Sequence, residues 1–191
     1  LYKINGKPLI WYVINNVKKV KKITRLVVST SNTKHDNELV KYLKSIRIQF
    51  FRGDLKNVAK RLLDTAIQYK KKNFIRISGD SPLINPKIIN HVIEIHKKKK
   101  FNGYDLITNV FPRSFPKGQS VEILKTKTLK DNLNKMKKKE EEHVTLYFYN
   151  NSKKFMIKNY RSPINQKKNK LSVDKKYDMI KIKKILGFKK K

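Results

Sequence analysis

The sequence predicts an α/β fold: a mostly parallel sheet with flanking helices and a small, partly antiparallel extension. Three observations carry that expectation. Short β-rich runs alternate with amphipathic helical spacings at distances suited to βαβ units. Each early run ends in Ser, Thr, Gly or Asp, residues that leave a strand for a turn. The chain has 191 residues, 38% hydrophobic and 10% aromatic, which suits one domain with a real core.

The elements follow in order. Pro8 to Val20 places Leu9, Ile10, Val13, Ile14 and Val17 on one helical stripe. Ile23 to Ser29 reads as a strand, His35 to Lys44 as a helix, and Ile48 to Arg52 as a second strand stopped by Gly53. Asn57 to Lys70 is helical around Val58, Leu62, Leu63, Ala66 and Ile67, and Phe74 to Ser78 is a third strand before the turn Gly79–Pro82. Pro86 opens a helix through Ile95, at the first turn where proline is tolerated. Asp105 to Val110 is a fourth strand.

The second half is less regular. Val121 to Leu124, Phe155 to Tyr160 and Leu171 to Val173 read as strands, and Lys127 to Lys137 and Glu140 to Tyr149 as helices. A closing helix spans Lys175 to Leu186 on Tyr177, Ile180, Ile182 and Ile185. The organisation is one domain over 1–187 and a basic tail over 188–191.

Composition narrows the function. No cysteine excludes disulfides and thiolate zinc sites. No apolar stretch reaches the roughly 20 residues of a membrane span, and no secretory pattern opens the chain, so a cytoplasmic location is expected. Lys and Arg number 48 against 14 Asp and Glu, a net charge of +34. A field of that size attracts polyanions. The excess is mostly Lys, however, spread over helix faces and short runs such as Lys97–Lys100, Lys137–Lys139 and Lys189–Lys191. Nucleic-acid surfaces concentrate Arg and aromatics on one face. Compositional bias with solvated lysines is the favoured reading, and no specific nucleic-acid partner is expected.

With so few acids, candidate ligands sort one by one. Ligands of open α/β sheets bind outside the carboxyl ends of the strands, and Asp54, Asp80 and Asp174 directly follow strand runs. Asp80 follows Gly79, which permits close backbone approach, and its carboxylate suits Mg²⁺, which takes only one or two protein oxygens. Gly-Asp-Ser-Pro is equally ordinary turn chemistry, and Asp80 could cap the helix at Pro86; the residues alone leave both readings open. Asp174 stands where an N-cap belongs, and capping is its favoured local reading. Asp54 reads as a turn or cap residue. Arg52, Arg61, Arg76 and Arg113 lie near the active edge, where Arg suits phosphate or carboxylate. His91 and His96 are five apart and share no face, whereas His143 and Tyr147 are four apart and do. Their grip on a polar substrate competes with a half-buried helix contact. No nucleophilic triad, P-loop or GxGxxG is present.

Several segments in order carry a resemblance: NGKPLIWYVI (5–14), VVSTSN (27–32), FRGDLKNVAKRLLDTA (51–66), RISGDSPLI (76–84), FPKGQSVEI (115–123), EEHVTLYF (141–148) and LSVDKKYDMIKI (171–182). Together they resemble the cytidylyltransferases of the acylneuraminate and spore-coat polysaccharide type, related to the enzyme that activates ketodeoxyoctonate. The resemblance implies a nucleotide-diphospho-sugar transferase-like fold and transfer of CMP from CTP to an acidic sugar, with Mg²⁺ as cofactor and a homodimer admitted. It implies that Asp80 and Asp174 are the catalytic, metal-holding pair. Arg61, Ser78 and Gly79 would lie at the nucleotide, and His143 and Tyr147 at the sugar.

Departures from the family pattern are also visible. Members open with a strand and a basic, Gly-rich loop that cradles the triphosphate, and Leu1 stands just past that point. The expectation is therefore a chain truncated at its amino end and missing the first strand, with its activity put in question by the absence of that loop. Ser120 replaces a usual acid, Leu146 a common Pro, and Lys175-Lys176 a usual Glu-Pro or Thr-Pro. Two alternatives stand beside this reading: another sugar-nucleotide transferase of the same fold, and a non-catalytic basic domain for polyanions or a partner.

Overall fold

The computed structural model describes residues 1–98 and 103–188. It opens with a hairpin of β1 (Lys3–Ile4) and β2 (Lys7–Pro8). Its turn residues, Asn5 and Gly6, both take positive φ, the conformation for which Asn-Gly is selected. Helix α1 (Leu9–Lys18) follows and buries Val13, Ile14 and Val17.

Strand β3 (Val27–Ser31) pairs in parallel with β4 (Gln49–Gly53), and α2 (Asn37–Ser45) is the crossover. The first strand thus starts later than the Ile23 expected. Ile23 and Leu26 are apolar because they pack on the core from a loop, not because they join a ladder. Helix α3 (Val58–Gln68) is capped by Asn57, whose side chain accepts the Lys60 N–H at 2.7 Å.

The remaining strands form a four-stranded sheet in the order β5-β7-β6-β8: β5 (Asn73–Arg76), β7 (Glu122–Lys125), β6 (Leu106–Thr108) and β8 (Ile157–Asn159). β7 runs antiparallel to both neighbours, while β6 and β8 are parallel. The antiparallel element therefore lies inside the sheet and not at its margin.

Period-2 alternation puts this sheet between two cores. Ile107 and Ile123 face α1 and α4 (Pro86–Lys97), with Val13, Val17, Ile89, Val92 and Ile93. Leu106 and Leu124 face the other way, toward Ala59, Leu63, Leu129 and Phe148. These come from α3, α5 (Thr126–Asn132) and α7 (Leu146–Asn150). Among the described residues the β3–β4 pair makes no ladder with this sheet, and an apolar cavity of about 580 Å³ separates them. Val27 and Val28 of β3, Ile75 of β5 with Ile77 just beyond it, and Leu62 and Ala66 of α3 line it.

Other expectations need correction. The helix expected over Lys127–Lys137 ends at Asn132 and continues as a 3-10 turn, Leu133–Lys135. The helix expected over Glu140–Tyr149 is two pieces, α6 (Lys138–Glu142) and α7, broken at 143–145. The break drops Val144 into the core and turns the Thr145 hydroxyl onto Glu122. Leu171–Val173 forms no ladder; an isolated bridge between Lys117 and Lys170 holds that segment. Helix α8 (Lys176–Phe188) buries Asp178 and Ile182, whereas Tyr177 and Ile180 are exposed. The basic tail begins inside α8 at 188, and 189–191 lie outside the described residues.

Candidate active site

Three segments far apart in sequence meet at the carboxyl edge of β5. The first is the turn 78–85, where the Ser81 N–H reaches the Ser78 carbonyl and Asn16 of α1 donates to the Pro82 carbonyl at 3.0 Å. The second is the loop 117–121. Gln119 locks it to the first, donating to the Leu83 carbonyl at 2.7 Å and accepting the Asn85 N–H at 2.9 Å. Buried Asn109 fixes both ends of this connection, donating to the Gln119 carbonyl and accepting the Val121 N–H.

The third segment is 169–175. Gly118 has φ +90, and a Cβ there would lie 2.5 Å from the Leu171 carbonyl carbon, so this contact requires glycine. Lys117 and residues 169–171 exchange two backbone bonds of 3.0 and 2.7 Å. The Val173 N–H then donates to the Asp80 carbonyl at 2.9 Å, which brings the backbone next to Asp174 against Asp80.

Among the described residues neither aspartate caps a helix. Asn85, not Asp80, caps α4, accepting the Lys87 N–H at 2.9 Å. The Asp80 carboxylate accepts only the Ser81 hydroxyl, at 2.8 Å, among the described residues. Before α8, the capping acceptor is Asp178, which takes the N–H groups of Asp174 and Lys175 at 3.0 and 2.9 Å. Asp174 pairs instead with Lys170, at 2.8 Å. Hydrogen bonds from Lys170 and these backbone donors hold the Asp178 carboxyl down at about 2. Asp54 is a turn residue as expected, accepting the N–H groups of Lys56 and Asn57.

Beside this convergence lies a polar cluster that spacing alone did not single out. Glu122 is 2% exposed. It accepts Arg76 at 2.6 Å on one oxygen, and Thr145 and Tyr149 at 2.8 and 2.6 Å on the other. Burial, then the neighbouring Glu122 charge, pushes the Tyr149 hydroxyl far up, so it stays protonated and donates. Phe111 stacks on Tyr149 with ring centroids 4.6 Å apart. Arg113 is half-buried, bonds Ser120 at 3.1 Å, and makes no ion pair among the described residues. Glu122 sits inside the Val-Glu segment quoted above, but its role depends on a cross-strand register that local sequence does not reveal.

The other expected residues are placed as follows. Gly79 is exposed on the turn and borders the apolar cavity, and Ser78 precedes it. Arg61, on α3, donates to the Asp54 carbonyl at 2.5 Å, and its buried Nε has no partner among the described residues. Burial lowers its pKa, against the attraction of Asp36 and Asp54. His143 is exposed at the helix break. Tyr147 is buried beside Phe148 and Phe155, with its hydroxyl toward Asn132. The shared helical face expected for His143 and Tyr147 does not form, because no single helix spans them. The large cavity is not the polar site: Asp80, Glu122 and Asp174 do not line it.

Among the described residues no group of three or more His, Asp or Glu gathers as a metal site. Two carboxylate-bearing segments meet at a sheet's carboxyl edge, beside a buried charged network, and the fold that holds them is the nucleotidyltransferase-like α/β fold of the solved structures below. The comparisons make this specific. The chain belongs to the cytidylyltransferase family, whose model matches residues 1–190. It is 26% identical over 162 residues to the spore coat polysaccharide biosynthesis protein SpsF of Bacillus subtilis, covering 83% of this chain and 65% of that protein. It is 28% identical over 158 residues to the uncharacterized protein MJ1063 of Methanocaldococcus jannaschii, covering 82% and 63%. The chain thus spans somewhat under two-thirds of these relatives. A cytidylyltransferase structure from Leptospira borgpetersenii superposes with a TM-score of 0.90 at 24% identity, covering 97% of this chain and 78% of that one. A CMP-2-keto-3-deoxy-manno-octonic acid synthetase complexed with CTP gives 0.73 at 14%, covering 99% and 91%. No described helix is long and apolar enough to cross a membrane.

Proposed function

We propose that this protein transfers CMP from CTP to an acidic sugar, in the synthesis of a surface polysaccharide. The observation that carries the reading is the 2.9 Å bond from Val173 to the Asp80 carbonyl, which joins two carboxylate-bearing turns at the edge where α/β folds bind ligands. In the reaction an oxygen of the sugar bonds to the α-phosphorus of CTP, the bond to the β-phosphate oxygen breaks, and pyrophosphate leaves while the sugar hydroxyl loses its proton.

Such a transfer needs positioning and charge neutralisation more than covalent help. Asp80 and Asp174 offer hard oxygens, and Asp174 already faces a positive charge, the Lys170 ammonium at 2.8 Å. They fit Mg²⁺, which requires few protein ligands; bound there, it would offset phosphate charge. Ser78 and Gly79 present the turn to the nucleotide, and Arg61 of α3 supplies a guanidinium for its phosphates. Arg113 supplies a half-buried guanidinium for an anionic sugar, near the Phe111–Tyr149 stack. His143, exposed at the break before α7, would meet the same substrate, and Tyr147 supports α7 from the core.

A second reading has its own support. The chain is 37% identical over 94 residues to a probable molybdenum cofactor guanylyltransferase of Thermococcus sibiricus, 49% of this chain and 45% of that protein. Pyrophosphate release measured with CTP, GTP, ATP and UTP against a panel of acidic and neutral sugars and the molybdenum cofactor separates the two. Release with CTP and an acidic sugar supports the first reading; release only with GTP supports the second.

A further inference from the structure

Lys170 sits between two acids that differ in kind. Its Nζ lies 2.8 Å from Asp174 Oδ2 and 2.6 Å from Asp178 Oδ2. Asp178 is 7% exposed, and the same oxygen also accepts two backbone N–H groups, so it is fixed by geometry. The Asp174 side chain is 53% exposed and has no partner but Lys170 among the described residues. The Lys170 backbone is fastened to the Gly118 loop through its bridge to Lys117. The ammonium is therefore anchored on Asp178, and its hold on Asp174 is the replaceable one.

We propose that Lys170 is a resident counter-cation of Asp174 that makes divalent-metal binding conditional on nucleotide. The inference rests on the reading of Asp80 and Asp174 as the metal-holding pair. A divalent ion approaching Asp174 meets a fixed positive charge on the carboxylate it needs. At surface dielectric that repulsion weakens binding about tenfold. A triphosphate removes the conflict by offering the ammonium its own oxygens. Lysine suits the exchange: it carries three donors on a flexible stem, so it keeps Asp178 while turning another donor from carboxylate to phosphate. Metal and nucleotide then strengthen each other's binding by the same factor.

The test is Mn²⁺ binding to the protein, read by electron paramagnetic resonance of free Mn²⁺, with and without CTP, corrected for the Mn²⁺ that the same CTP binds without protein, and with no sugar present. The wild type is expected to bind Mn²⁺ weakly alone and about tenfold more tightly with CTP. In Lys170→Met, Mn²⁺ alone should bind about tenfold more tightly than to wild type, and the enhancement by CTP should shrink by the same factor. Lys170→Gln retains a donor for Asp178, so it serves where the Met variant folds poorly. Equal or weaker Mn²⁺ binding by a folded Lys170→Gln protein, or undiminished coupling to CTP, overturns the role of Lys170 alone. Undiminished Mn²⁺ binding in Asp80→Asn and Asp174→Asn overturns the carboxylate reading, and this inference with it.

Discussion

Arg76 and Glu122 are direct cross-strand partners of the β5–β7 ladder, and their side chains meet at 2.6 Å. The pair closes the sheet edge from which the turn to Asp80 departs. Glu122 is buried and Arg76 only partly so, which makes the acid the structural keystone. Replacing Glu122 with Ala strands a guanidinium and two hydroxyl donors, with an expected loss of about 3 kcal/mol. Urea unfolding of Glu122→Ala against wild type checks this, and Glu122→Gln, which keeps an acceptor for Thr145 and Tyr149, should lose less.

Tyr149 reports on the same cluster from the helical side. Its hydroxyl bonds both Glu122 and Thr108, at 2.6 and 2.8 Å. Tyr149→Phe keeps the stack on Phe111 and removes only those bonds. The expected cost is about 1 kcal/mol, again by urea unfolding.

Gly118 tests whether the third segment is seated by close backbone approach. With φ +90 and no room for a Cβ, Gly118→Ala should destabilise by about 2 kcal/mol. Hydrogen exchange at Leu171 and Val173, whose N–H groups bond Lys117 and Asp80, should rise in this variant.

The Asp178 carboxyl gives a pH dependence. Its folded pKa lies below the unfolded value, so its stabilisation is present above the ordinary carboxylate value of about 4. It is lost as pH falls toward about 2. The stability difference between wild type and Asp178→Asn should therefore be full at pH 6 and shrink between about pH 4 and about pH 2. Urea midpoints across that interval measure it.

Much of the fold is legible in the sequence because helices bury one stripe and strands leave turns behind them. The stripes of α1, α3 and α4 and the Pro at the start of α4 read directly as structure. The place of β7 does not, because its antiparallel pairing with both β5 and β6 joins residues far apart in sequence. The break at His143 was hidden for a related reason: Val144 and Thr145 are pulled in opposite directions by a core and by Glu122, and neither partner is local. In the candidate site, Asp80 and Asp174 were visible as acids after apolar runs. What spacing did not reveal is that Asn85 and Asp178 supply the caps. That assignment relieves the two aspartates of a structural duty.

The most direct test of the central claim is pyrophosphate release from CTP in the presence of acidic sugars, comparing wild type with Asp80→Ala. Among the described residues the Asp80 side chain holds only the neighbouring Ser81 hydroxyl, so unfolding free energy should change by no more than about 0.5 kcal/mol. Release should fall about a hundredfold or more in this folded variant. A folded Asp80→Ala protein that retains activity within about threefold of wild type would contradict that claim.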